Sequence, residues 1–131
     1  MPVVVLSFEE RCDVLPIFIA FEEAMSIARG LDAEDLGRPL THDLLLDVME
    51  ELGGRVDNVV VSDVDEGTYL ADLVIATPRG EATLDARPSD SLALVARTNV
   101  PLAVAPHVYE YGRRDPEEFE DLDDIREVTH T

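Results

Sequence analysis

The segment Asp85-Ala86-Arg87-Pro88-Ser89-Asp90 places two carboxylates, a guanidinium and a hydroxyl where a strand gives way to a helix. Free backbone N–H groups at a helix start attract anions, and an arginine beside them can hold phosphate or carboxylate through paired hydrogen bonds. Strand alternation sets Asp85 and Arg87 on the face opposite Leu84 and Ala86. The same residues have a purely structural reading, in which Ser89 or Asp90 caps the helix and Arg87 pairs with Asp85. A second segment, Arg38-Pro39-Leu40-Thr41-His42-Asp43, again sets Arg-Pro before a helix start, here with one carboxylate and an imidazole. His42 falls at the edge of an apolar arc, where an imidazole suits proton transfer near neutrality. Its structural alternative is a half-buried helix-start histidine bonded to backbone. Asp43 and Asp47 lie one turn apart on what the helical phase makes the outer face, so Asp47 reads as solvating. His107 and His130 lack the spacing of metal-dependent phosphohydrolases. There is no phosphate-binding glycine loop, nucleophile elbow or aromatic base-stacking platform.

Those segments need elements to hold them. Val3 to Phe8 and Leu15 to Ala20 are apolar, β-branched runs that read as strands, with Pro16 pointing to an edge. Glu22 and Glu23 open a helix in which Ala24, Ile27, Ala28 and Leu31 recur at helical spacing, and their charge favours its dipole. Asp32 to Leu40 is a polar connector. A second helix has Thr41 as N-cap, an apolar arc of Leu44, Leu45, Val48, Met49 and Leu52, and Gly53-Gly54 as its stop. Strands over 57–64, 68–77 and 81–86, divided by Asp65-Glu66-Gly67 and Pro78-Arg79-Gly80, imply an antiparallel meander. In the middle strand Tyr69, Ala71, Leu73 and Ile75 share a core face. The helix from Pro88 to Thr98 is apolar all round at Leu92 to Ala96, so it must be enclosed, by a sheet on one side and by another helix or a second subunit on the other. Pro101 to Ala105 and His107 to Tyr111 read as short strands. Beyond Arg113 the chain is acidic, either a solvated tail or a short helix docked through Phe119, Leu122 and Ile125. Arg-Pro before two helices makes a weak internal strand–helix echo.

The expected architecture is α+β, an antiparallel or mixed sheet with helices packed against it. Residues 1–112 form the domain and 113–131 the acidic tail. With 131 residues and 46% hydrophobic content, the chain can bury one core despite a formal charge of −19. All ten basic residues are arginine, against 29 acidic ones. Such self-repulsion is tolerable where molar salt shortens the Debye length to about 3 Å, so the surface suits a salt-rich cytoplasm. In that setting an acidic total says little about ligands, and only a local cluster of arginines would. No apolar run approaches a membrane span, and no basic leader precedes Val3, which predicts a cytoplasmic protein without membrane contact. A single cysteine, Cys12, excludes an intrachain disulfide or an all-cysteine metal site, and reads as a small buried apolar group.

In order and spacing the chain resembles the bifunctional nuclease domain family over roughly Val3 to Tyr111. The match is carried by Leu15-Pro16-Ile17 to Glu23-Ala24, by Arg38-Pro39 to His42-Asp43-Leu44-Leu45, by Gly67-Thr68-Tyr69, and by Asp85-Ala86-Arg87-Pro88-Ser89-Asp90 to Arg97. Ala20 and Ser91 stand where relatives carry glycine and alanine. The resemblance implies, in a salt-adapted, haloarchaeal-like version, divalent-metal-assisted cleavage of RNA and DNA with low sequence specificity. On that reading Glu23, Asp85 and Asp90 hold Mg²⁺ or Mn²⁺, and no organic cofactor is needed. Arg38, Arg87 and Ser89 bind the substrate, while His42, Asp43, Asp85 and Asp90 carry the catalysis. The alternative is a non-catalytic, oligomeric anion-binding or protein-interaction module built from the same arginines and helix starts. Either way the enclosed helix after Pro88 predicts a homodimer or larger homo-oligomer.

Overall fold

A computed structural model describes residues 1–33 and 37–129. The chain begins with a two-stranded antiparallel hairpin, β1 (Val3–Leu6) and β2 (Leu15–Phe18), followed by helices α1 (Phe21–Leu31) and α2 (Thr41–Glu51). Three long strands follow: β3 (Arg55–Asp65), β4 (Thr68–Thr77) and β5 (Gly80–Ala86). They pair antiparallel as the turn signals predict. Glu66 and Gly67, both at positive φ, close the first hairpin. Helix α3 (Pro88–Thr98) then crosses back over the sheet to β6 (Leu102–Val104), which pairs parallel to β3 and gives the order β5-β4-β3-β6. The result is an α+β fold with one antiparallel and one mixed sheet.

Helix α3 is enclosed, and the enclosing elements all belong to this chain: it packs on α1, on α2 and on β3 and β4. Leu92, Ala93 and Leu94 are buried there, joining Leu15, Ile17, Ile27, Val61 and Val108 on one side and Val56, Val59 and Leu73 on the other. Gly30 allows the close approach of α1 and α3, since a Cβ there would lie 3.0 Å from the Ala96 Cβ.

Several expectations are corrected. The segment 107–111 is not a strand but part of α4 (Pro106–Gly112), with Pro106 at its first turn and Val108 and Tyr109 buried; proline at that position suits a helix start, whereas a strand would have lost a donor. Cys12 is exposed rather than buried. The N-cap of α2 is Leu40, not Thr41. The helix is also rotated from the phase its apolar arc suggests. No residue of α2 is buried, Leu44, Leu45, Val48 and Leu52 face outward, and His42, Asp43, Leu46 and Met49 turn inward. The Arg-Pro echo is not structural either, because Pro88 begins α3 directly after β5, while α2 starts two residues beyond Pro39 and, among the described residues, no strand leads into it. Part of the 32–40 connector lies outside the described residues. After Arg114, which bridges to Val14, the chain forms a 3-10 turn, Pro116–Phe119, capped by Asp115, and then α5 (Ile125–Thr129), with Ile125 packed on the core.

Candidate functional site

The starts of α1, α2 and α3 meet, and their side chains interlock. Glu23 and Asp43 occupy equivalent positions, each in the first turn of its helix and each directing one oxygen back to the N–H that precedes the helix. Glu23 Oε1 accepts from Ala20 at 2.7 Å, and Asp43 Oδ2 accepts from Leu40 at 3.0 Å. That arrangement satisfies an orphan backbone donor and leaves the second oxygen of each carboxylate for an arginine. Glu23 Oε2 pairs with Arg87 and also accepts from the Ser89 hydroxyl at 2.8 Å. Asp43 Oδ1 accepts from Arg97 Nε at 2.7 Å.

Between these two pairs lies His42. Its Nδ1 is 2.6 Å from Ser26 Oγ on α1, and its Nε2 is 2.9 Å from Asp90 Oδ1 on α3. Arg97, only 7% exposed, donates through Nη1 to the Ser26 and Ala93 carbonyls, both at 3.0 Å, and through Nη2 to Ser26 Oγ at 3.4 Å. A guanidinium can only donate, so the Ser26 hydroxyl accepts from Arg97 and keeps its proton and a second lone pair for the contact with Nδ1. The Asp90 carboxylate can only accept, so His42 donates to it through Nε2–H. The sequence of contacts runs Arg97–Ser26–His42–Asp90, from the interior outward, and ends on a half-exposed carboxylate. For Asp43, burial acts to raise the pKa, but the Arg97 and Leu40 hydrogen bonds and the charges of Arg97 and His42 outweigh it, so the carboxyl titrates below its ordinary range.

The structural alternatives are thus overturned at both segments. Neither Ser89 nor Asp90 caps α3, and Arg87 pairs with Glu23 of a different helix rather than with Asp85. Among the described residues the His42 ring is bonded to two side chains and not to backbone. Of the residues singled out in the sequence, Glu23, His42, Arg87, Ser89 and Asp90 come together, and Asp43 joins them through Arg97. Arg38 instead lines an adjoining cavity that also borders Asp43 and Arg97. Asp47 borders it while staying exposed, as expected of a solvated residue, and only Asp43 turns inward, toward Arg97. Asp85 stands apart: it lies on the edge strand β5 opposite Asp72 of β4, exposed. Ser26 and Arg97 were missed as site residues. Ser26 follows Glu23 by three residues on one helix, which puts both on one face, and that spacing could have found it. Arg97 in the last turn of α3 resembles an ordinary dipole partner.

The expected cation site does not fit this donor set. Among the described residues no group of three or more His, Cys, Asp or Glu side chains is placed to hold a metal ion. Glu23 has both oxygens engaged, Asp90 meets His42, and Asp85 is not joined to either. Nor, among the described residues, is any helix long and apolar enough to cross a membrane.

Two proteins of Mycobacterium tuberculosis, one from each of two strains and both described as uncharacterised, are 39% identical to the chain over 103 residues. The match covers 79% of this chain but spans only 61% of the length of either relative. A family model described as the bifunctional nuclease domain matches residues 4–116, a span that contains every residue of the site, and the chain belongs to that family.

Proposed function

We propose that the chain is a phosphodiesterase that cleaves RNA and DNA with low sequence specificity, and that the junction of the three helix starts is its active site. The observation that carries this reading is the His42–Asp90 pair beside Arg87, drawn from residues 48 apart in the chain and held by a buried arginine. Arg87, 68% exposed, and the N-terminal amides of α3 offer positive potential to a phosphate. Glu23 and Ser89 fix the guanidinium, so their role is positioning. Asp90 is the base: it takes a proton from a water molecule as the water oxygen bonds to phosphorus. The opposite P–O ester bond breaks, and the departing oxygen takes a proton from solvent while Asp90 returns its own. Nε2–H of His42 keeps the Asp90 carboxylate aimed at the water. Such positioned proton transfer contributes about 10²–10⁴-fold in rate.

Assistance by Mg²⁺ or Mn²⁺ belongs to the proposal only as a dependence to be measured. A cytoplasmic, salt-rich setting and a homo-oligomer held through the outward apolar face of α2 complete it. The test is cleavage of labelled RNA and DNA in molar KCl, with Mg²⁺, Mn²⁺ or chelator. Asp90→Asn is expected to lose at least 100-fold and Asp85→Asn to retain the rate. Equal rates for wild type and Asp90→Asn refute the assignment, and absence of cleavage by any preparation favours the non-catalytic anion-binding module.

A further inference from the structure

Beside the proposed site lies a cavity of about 460 Å³, bounded by the end of α1, residues 37–40 and the inner face of α2. Three of the ten arginines of the chain, Arg29, Arg38 and Arg97, border it, against two aspartates, Asp43 and Asp47. In a molecule with a formal charge of −19 that is a local excess of positive charge. Arg97 is committed to Asp43 and Ser26. Arg29 and Arg38 make no side-chain hydrogen bond or ion pair among the described residues, although carboxylates are the commonest charged groups of the surface. Pro39, Leu40 and Leu46 supply an apolar wall.

We infer that this cavity binds a nucleoside monophosphate unit, with the phosphate between Arg29 and Arg38 and the base against Pro39, Leu40 and Leu46. The volume lies within the range of small-molecule pockets, about 300–1,000 Å³, and suits a mononucleotide rather than a duplex. Planar guanidiniums bind phosphate oxygens in pairs, which a lone helix start does not provide. The identity of the ligand rests on the phosphodiesterase reading, which this inference extends: Arg38 holds a nucleotide neighbouring the scissile phosphate, and Arg87 holds the scissile one.

The experiment is calorimetric titration of Asp90→Asn full-length protein, so that binding is read without cleavage, using adenosine 5′-monophosphate, adenosine and inorganic phosphate as separate probes. The monophosphate is expected to bind at least tenfold more tightly than adenosine or inorganic phosphate. Arg29→Gln and Arg38→Gln, with folding checked by circular dichroism, are each expected to weaken it at least tenfold. Arg79→Gln, on the distant β4–β5 turn, controls for net charge and is expected to leave binding unchanged. Equal affinity for inorganic phosphate and the monophosphate overturns the nucleotide assignment, and binding insensitive to both arginine variants, or no binding at millimolar monophosphate, overturns the site. Cleavage by wild type without monophosphate binding would remove this inference while leaving the phosphodiesterase reading in place.

Discussion

Replacing Arg97 by methionine removes the side chain that ties α1, α2 and α3 together while keeping most of its buried apolar length. Four hydrogen bonds are lost: one to Asp43, two to backbone carbonyls and a longer one to the Ser26 hydroxyl. Removing one partner of a fully buried ion pair costs about 3–5 kcal/mol, and hydrogen bonds to a charged group contribute roughly 1.5–3 kcal/mol each. Asp43 is 39% exposed and keeps its bond to the Leu40 N–H, so water can replace part of what Arg97 supplied. The cost therefore falls below the fully buried range, to about 2–3 kcal/mol, equivalent to a fall in Tm of roughly 10 °C for a chain of this size. Thermal melts in molar KCl measure it, and a double-mutant cycle with Asp43→Asn isolates the pair. The pH dependence gives an independent check. Because the folded Asp43 titrates below its unfolded value, its stabilisation is fully present above the unfolded carboxylate pKa, near 4, and is lost as pH falls through the folded value. The gap between wild type and Arg97→Met should therefore narrow on acidification below about pH 4. A loss under about 0.5 kcal/mol, or a gap that widens in acid, would show that Arg97 is not the anchor we describe.

Other expectations follow from single contacts. The Ser91 hydroxyl is buried with no hydrogen-bond partner among the described residues, so Ser91→Ala should raise stability by about 1 kcal/mol in urea titration. A decrease would mean the hydroxyl is satisfied. At Gly30 an added Cβ would sit 2.9 Å from Arg97 Nη1 and 3.0 Å from Ala96 Cβ. Gly30→Ala should therefore cost about 1–3 kcal/mol despite alanine's better helix propensity, and a higher Tm would show slack between α1 and α3. Raising KCl from 0.1 to 2 M should increase Tm by screening the 29 acidic residues, and a flat response would contradict salt adaptation. Light scattering in the same buffer should give a mass above that of one chain, and Leu45→Glu together with Leu52→Glu, on the outward face of α2, should reduce it to the monomer; a monomeric wild type refutes the oligomer.

Much of the fold was legible because its local signals agree with one another. The β3–β4–β5 meander is written in alternation and in Glu66-Gly67, where a two-residue connection needs positive φ. The all-round apolar character of α3 announced enclosure, and only its neighbours had to be learned. The phase of α2 was misread because an apolar arc is normally the buried one; here packing turns the polar His42–Asp43 edge inward, toward Arg97 and Ser26. Helix α4 was misread because His107 to Tyr111 is rich in residues that suit strands, and Pro106 was not weighed as a helix start. In the site, the two Arg-Pro segments marked the right helix entrances, while pairings such as Glu23 with Ser89 and Ser26 with His42 depend on tertiary contact that no local spacing encodes. Asp85 was chosen because strand alternation puts it on the same face as Arg87, yet it remains on the sheet edge while the chain turns away into α3.

The most direct test of the account is the single-turnover cleavage rate of a labelled RNA strand by wild type and His42→Ala, purified in parallel through identical steps. A fall of at least 100-fold in the variant, with its melting transition retained, is the predicted result. Equal rates in the two preparations would trace the cleavage to another protein, or to other residues of this one, and would contradict the account.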